Sequence, residues 1–197
     1  MSDAKIVCAG FGGQGVMSMG RLIAYTGMLA GRQVSWLPSY GPEMRGGTAN
    51  CHVIVSDTPI GSPIIHKDAT AVIAMNLPSM HKFERELSAE GLLVINSSLI
   101  NEPPNREELP AVRVPANEIA EELGVEKAAN MVMLGAYIGA SELFTMEETV
   151  QALAKVFAPS KAQFLPKNES ALQRGAEIGA SIAEELSSRR ATGVGGR

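Results

Sequence analysis

The amino-acid sequence predicts an α/β fold, a doubly wound and mostly parallel sheet with extra helices at its C-terminal end. Three observations predict it. Short apolar and β-branched runs alternate with helical patterns from Lys5 to Pro115, the order that a parallel sheet with crossover helices requires. A glycine-rich turn, Gly10 to Gly15, sits between the first strand pattern and the first helix pattern. From Ala116 onward the pattern is helical almost to the end.

Each element has its own signal. Lys5–Ala9 is a compact apolar strand. Gln14–Ala30 is helical, with Gly20, Ala24 and Gly27 on one face, a small-residue stripe that lets a helix lie close to a sheet. Gly31 ends that helix in the position where a left-handed glycine is favoured. Gln33–Leu37 is the second strand, and Ser39–Gly47 is a polar, glycine-containing loop. Thr48–Ser56 is a third strand, rich in β-branched residues. Asp57–Ser62 is a turn. Ala71–Met75 is the fourth strand, followed after Pro78 by a short helix with Phe83 and Leu87 at i and i+4. Leu92–Asn96 is the fifth strand, Asn101–Pro110 a proline-broken loop, and Val112–Val114 a sixth strand closed by Pro115. Helices are expected at Ala116–Leu123, Ala128–Leu143, Met146–Phe157 and Asn168–Ser187. Thr145 and Glu148 have capping-box spacing ahead of the third of these. Residues 1–188 read as a single domain and residues 189–197 as a flexible tail, basic and glycine-rich.

Composition excludes several function classes. A net charge of -4 argues against a nucleic-acid partner. Aromatics make up 5% of the chain, too few for stacking cages. No run is long enough to span a membrane, and no secretory leader pattern is present, so a cytoplasmic location is expected. Cys8 and Cys51 both lie in apolar strand patterns and read as buried free thiols of a reducing compartment, with a disulfide only by accident of proximity. No Cys-x-x-Cys spacing exists to hold an iron–sulfur cluster or zinc. His52, His66 and His81 lack metal-type spacing.

The glycine turn carries the chemistry. Gly10-Phe11-Gly12-Gly13-Gln14-Gly15 matches G-x-G-x-x-G between a strand and a helix. Glycines permit close approach of a phosphate, and the helix N-terminus supplies free N–H groups and a positive dipole end. A dinucleotide site also wants an acidic residue about 20 positions on, to hold the ribose. No acidic residue lies between Asp3 and Glu43. Arg32 precedes the second strand, so an NADP reading is weak as well. A different phosphate-bearing ligand and a plain turn that binds nothing both stay open.

Ser39–Gly47 leaves the carboxyl end of the second strand, on the same edge, which is where open α/β sheets bind ligands. Within it Arg45 can clamp a phosphate or carboxylate, and Tyr40 can make an apolar contact. The alternative is a merely solvated loop. The candidate binding set is therefore Gly10, Gly12, Gly13, Gln14, Gly15, Tyr40 and Arg45. No catalytic side chain and no metal ligand is assigned. Ser97 and Ser98 end the fifth strand as caps or turn residues. Asn130 reads as an N-cap in preference to a contributor to the crevice. The methionines read as core filler first and subunit interface second.

Gly10 to Val16 (Gly-Phe-Gly-Gly-Gln-Gly-Val), followed by Ser39 to Ala49 (Ser-Tyr-Gly-Pro-Glu-Met-Arg-Gly-Gly-Thr-Ala), closely resembles the gamma subunit of 2-oxoacid:ferredoxin oxidoreductases. It is also similar to the equivalent domain of pyruvate:ferredoxin oxidoreductase. Ala129 to Ala136 fits the same family, and the resemblance runs from Lys5 to about Leu186. It implies a non-redox subunit of a complex that converts a 2-oxoacid and coenzyme A into acyl-CoA and carbon dioxide, passing electrons to ferredoxin. Thiamine diphosphate is then held by alpha and beta subunits, and iron–sulfur clusters by beta or a ferredoxin-like subunit. The gamma subunit aids assembly and coenzyme A handling and is inactive alone. A free-standing phosphate-ligand-binding protein and an NAD-dependent reductase remain the alternatives. The acid stays open among 2-oxoglutarate, branched-chain acids, pyruvate and indolepyruvate.

Overall fold

The computed structural model describes residues 3–39, 48–156 and 159–191, with backbone alone at 159–161 and 185–191. The elements in order are β1 (Ala4–Phe11), α1 (Val16–Leu29), β2 (Gln33–Ser39), β3 (Thr48–Ser56), β4 (Ala69–Ala74), α2 (Leu77–Phe83), β5 (Leu87–Asn96), β6 (Ala111–Val114), α3 (Ala116–Glu122), α4 (Ala129–Ser141), α5 (Met146–Val156) and α6 (Leu165–Ala191). The six strands form one sheet in the order β2-β3-β1-β4-β5-β6. β1, β4, β5 and β6 are parallel. β3 is the exception, antiparallel to both β1 and β2. The sheet is thus mostly parallel, as the alternation of strand and helix patterns requires.

The strands read as continuous apolar runs because both faces of the sheet are covered. Along β1, Ile6 and Cys8 point to one face and Val7 and Ala9 to the other, the alternation inherent in a pleated strand. The first face carries α1, α4 and α5, with Met19, Leu22, Val132 and Leu153 in its core. The second is covered by α2 and by the segments bearing Ile65, Ile100 and Leu109.

α1 lies close on the sheet through its small-residue stripe. A Cβ at Gly27 would stand 2.9 Å from Val34 Cγ2, and Gly20 faces Cys51 and Trp36. Gly31 has the expected left-handed φ of 74°, and Arg32 N donates to Gly27 O at 2.9 Å to close the helix. The capping box also forms: Glu148 N donates to Thr145 Oγ1 at 3.2 Å, and Thr145 N to Glu148 Oε2 at 2.8 Å.

Several boundaries differ from the sequence reading. α1 begins at Val16 rather than Gln14, because Gly13 and Gly15 both have positive φ. The expected helical pair Phe83–Leu87 is split. α2 stops at Phe83, a single 3₁₀ turn follows, and Leu87 opens β5. Arg106 Nη1 holds the Leu87 carbonyl at 2.7 Å, which fixes the chain in the extended form there. α6 starts at Leu165, earlier than Asn168.

α4 and α6 pack backbone to backbone. Gly135 meets the Leu172 carbonyl and Gly139 the Ala176 carbonyl, while Gly175 meets Val132 and Gly179 meets Ala136. Contacts that climb together along both chains mean that the two helices run parallel. α4 is buried on every side from Ala129 to Ile138.

His52 lies on β3, half-buried, and its Nδ1 accepts the Ile65 N–H at 3.3 Å. Burial pushes its pKa down, while nearby Glu86 opposes that shift. The folded state therefore binds fewer protons here than the unfolded chain. The stabilisation is present above the ordinary pKa of about 6.5 and is lost as pH falls through the lower folded value. Denaturant titration at pH 7 and at about pH 5 is expected to show lower stability in acid. A smaller acid loss is expected for His52→Gln.

Candidate functional site

From β1 the chain proceeds by α1 to β2, on one side of the sheet, and from β4 by α2 to β5, on the other. The carboxyl ends of β1 and β4 are therefore a topological switch point, the place where open α/β sheets leave a crevice for ligands. The glycine turn leaves β1 at this point.

Gln14 holds the crevice together. Its Oε1 accepts the Phe11 N–H at 2.7 Å and the Asn76 Nδ2–H at 3.0 Å, and its Nε2 donates to Met75 O at 3.4 Å. Met75 N also donates to Ala9 O at 2.8 Å. The ends of β1 and β4 are thus joined through one side chain. Gly10 makes room for it: a Cβ there would stand 2.8 Å from both Gln14 Oε1 and Met75 Cβ. Asn76 in turn accepts the Ser79 N–H at 3.0 Å and caps α2. Its position just before Leu77-Pro78 is an N-cap signal that sequence reading passed over.

Gly13 and Gly15 adopt φ of 98° and 75°. Gly15 is the N-cap of α1 and bears no side chain to satisfy the first-turn N–H groups, so those donors stay available to a ligand. Behind Gly15 stands Asn130. Its Nδ2 donates to Gly15 O at 3.2 Å. The N-cap role expected of Asn130 is incorrect. A 3₁₀ turn over Glu126–Ala128 precedes α4, the cap is Ala128, and Asn130 lies inside the first helical turn, buried against the glycine turn.

A cleft of about 770 Å³ opens between the turn and the starts of α4 and α6, lined by Gly13, Gly15, Ser18, Asn130, Phe164 and Asn168. The N-termini of α1, α4 and α6 all reach it. Their dipoles turn positive ends toward it. Glu121, Glu126 and Lys127 also line it, so its side chains carry one more negative than positive charge and its positive character rests on the helix ends. Asn168 was not singled out from sequence; its Nδ2 donates to Phe164 O at 2.7 Å and fixes the start of α6.

The structure brings together Gly10, Gly12, Gly13, Gln14 and Gly15 of the sequence-predicted set. Tyr40 and Arg45 lie outside the described residues. Ser98 is a cap: its Oγ accepts the Asn117 N–H at 2.9 Å at the start of α3 and donates to Glu118. Met19, Met131 and Met133 are core residues, whereas Met28 is exposed on α1. Among the described residues, no three His, Cys, Asp or Glu side chains group as metal ligands, and no helix is long and apolar enough to cross a membrane.

Comparison with known proteins gives a consistent result. The family model described as pyruvate ferredoxin/flavodoxin oxidoreductase matches residues 5–178. Ketoisovalerate oxidoreductase subunit VorA of Methanothermobacter marburgensis is 36% identical over 175 residues, covering 89% of this chain and 36% of the relative. The chain therefore spans about a third of that relative's length. 2-Oxoglutarate synthase subunit KorC of the same organism is 30% identical, with 88% of this chain and 95% of the relative covered. Among solved structures, the gamma subunit of a keto/oxoacid ferredoxin oxidoreductase from Geobacter sulfurreducens superimposes with a TM-score of 0.77 at 27% identity, over 90% of this chain and 99% of that one. The 2-oxoglutarate:ferredoxin oxidoreductase of Magnetococcus marinus, solved with 2-oxoglutarate, coenzyme A and succinyl-CoA bound, shares the fold at a TM-score of 0.81 and 22% identity, over 92% of this chain and 32% of that one.

Proposed function

The chain belongs to the pyruvate ferredoxin/flavodoxin oxidoreductase family, and on that premise we propose that it is the gamma subunit of a 2-oxoacid:ferredoxin oxidoreductase. The complex converts a 2-oxoacid and coenzyme A into acyl-CoA and carbon dioxide and passes electrons to ferredoxin. Alpha and beta subunits hold thiamine diphosphate, which supplies the electron sink for decarboxylation. Iron–sulfur clusters lie on beta or on a ferredoxin-like subunit. This chain binds no redox cofactor, works in the cytoplasm as one domain, and serves assembly and coenzyme A handling; of the tail expected at 189–197, residues 189–191 belong to α6 and residues 192–197 lie outside the described residues.

The observation that supports this reading is the cleft beside the glycine turn, onto which the N-termini of α1, α4 and α6 open. Coenzyme A brings phosphates, and three helix N-termini with the amides of Gly12, Gly13 and Gly15 suit them. Gly10 and Gln14 shape the turn. Tyr40 and Arg45 complete the site, Arg45 by clamping a phosphate of coenzyme A or a carboxylate of a partner subunit. Thr48, three residues after Arg45, is the register partner of Phe11 in the turn. The NAD-dependent reductase reading is disfavoured by topology. β3 stands between β1 and β2, so the end of β2 is not beside the turn where a ribose partner would be needed.

Reconstitution tests the proposal. The chain is mixed with the thiamine-holding subunits, and coenzyme A-dependent reduction of a viologen dye by a 2-oxoacid is followed. Neither part alone is expected to form acyl-CoA, and the mixture is. Full activity without this chain would overturn the assignment. In the mixture, Arg45→Ala is expected to weaken coenzyme A use or subunit association about tenfold to a hundredfold, the worth of a charge-assisted hydrogen bond, with Lys rescuing only in part. Unchanged coenzyme A dependence and unchanged sedimentation of the complex would remove Arg45 from the site.

A further inference from the structure

Cys8 and Cys51 face each other directly across the β1–β3 pairing. Both are free and fully buried, on the face covered by α1. Directly opposed residues of an antiparallel pair have Cα atoms about 4.5–5.5 Å apart, inside the window of about 4.4–6.8 Å that a disulfide spans. The two side chains stand near enough to perturb each other's ionisation. The accident of proximity that sequence alone could not see is realised.

The surroundings of the two sulfurs differ. Cys51 Sγ lies 3.7 Å from Val16 O, under α1. Gly20 leaves the space above it, and a Cβ there would overlap Cys51 Sγ and stand 3.2 Å from Trp36 Nε1. That indole N–H is buried without an acceptor. A neutral thiol is a weak acceptor, whereas a thiolate would satisfy the indole. The neighbouring Cys8 first, and the Trp36 indole with it, draw the Cys51 thiol below its usual pKa against the effect of burial, while Cys51 and burial push Cys8 up. Cys51 is the nucleophile of the pair and Cys8 its resolving partner.

We propose that Cys8 and Cys51 form a reversible redox modification site, closed to a cross-strand disulfide by a peroxide. The Cys51 thiolate attacks one peroxide oxygen, the O–O bond breaks, and Cys51 becomes a sulfenic acid while hydroxide leaves and is protonated to water. The Cys8 sulfur, losing its proton, then attacks the Cys51 sulfur. The S–O bond breaks and a second water leaves. Two thiols give up two electrons, and hydrogen peroxide is reduced to two waters. Because both sulfurs are covered, the reaction waits on local opening of α1. The disulfide ties β1 to β3 two residues before Gly10, at the root of the glycine turn.

The test uses the full-length chain, purified reduced, exposed to hydrogen peroxide, alkylated and analysed by mass spectrometry. The wild type is expected to lose the mass of two hydrogens, to yield one peptide pair joining Cys8 to Cys51 within a chain, and to recover both thiols with dithiothreitol. In Cys8→Ala, dimedone is expected to trap a sulfenic acid at Cys51. In Cys51→Ala, Cys8 is expected to stay reduced at the same dose. The wild-type result stands whether or not the variants fold. Persistently reduced thiols in the wild type, links only between chains, or equal oxidation of Cys8 in Cys51→Ala would each overturn the proposal.

Discussion

Gly135→Ala is expected to unfold at a markedly lower denaturant concentration than the wild type, and Gly175→Ala likewise. A methyl group at Gly135 would overlap the Leu172 carbonyl oxygen, and one at Gly175 would overlap that of Val132. The obstacle in each case is helix backbone, which cannot move aside as a flexible side chain can. Helix propensity alone favours Ala over Gly by about 1 kcal/mol, so the sign of the result separates packing from propensity. Overpacking a well-filled contact costs about 1–3 kcal/mol and occasionally more, and two rigid backbones place this site at the upper end. A net loss of about 3 kcal/mol corresponds to roughly 6–12 °C in Tm for a chain of this size. Gly61→Ala is the control, since nothing lies within 4 Å of its Cβ position. Stabilisation by Gly135→Ala would mean that α4 and α6 do not meet as described.

Gly15→Ala is expected to be the most damaging single methyl in the glycine turn. Two costs add. Gly15 has φ of 75°, and a left-handed conformation costs a non-glycine residue about 1–2 kcal/mol. The new Cβ would also collide with the Asn130 side-chain amide, forcing out the donor that holds the Gly15 carbonyl. Gly13→Ala isolates the first cost, because Gly13 has φ of 98° and open space around its Cβ position. Gly15→Ala should therefore cost about 1–3 kcal/mol more than Gly13→Ala, the range for one overfilled contact. The double variant with Asn130→Ala should recover part of that difference, the signature of two residues that touch. Equal losses in the two single variants would remove Asn130 from the wall of the site.

Much of the architecture was legible because its signals are local. The strand–glycine turn–helix at Gly10, the terminal Gly31 and the Thr145–Glu148 box each depend on residues within a few positions of one another. The direction of β3 was less visible, since periodicity reports that a strand exists and not which way it runs. One clue was there: only eight residues separate Ser39 from Thr48, and a parallel crossover needs about a dozen or more. The role of Asn130 could not be read locally, because its partner Gly15 is 115 residues away. The spacing Gly135-x-x-x-Gly139 is visible in sequence, as is Gly175-x-x-x-Gly179. That each serves as the other's partner is a tertiary fact.

The parallel course of α4 and α6 has an electrostatic consequence. Neighbouring helices that run the same way align their macrodipoles side by side, with like ends together, an arrangement that antiparallel packing avoids. Here both positive ends open at the cleft beside the N-terminus of α1. The folded chain therefore carries a built-in electrostatic frustration, concentrated at the end where the carboxylates of Glu121 and Glu126 also stand.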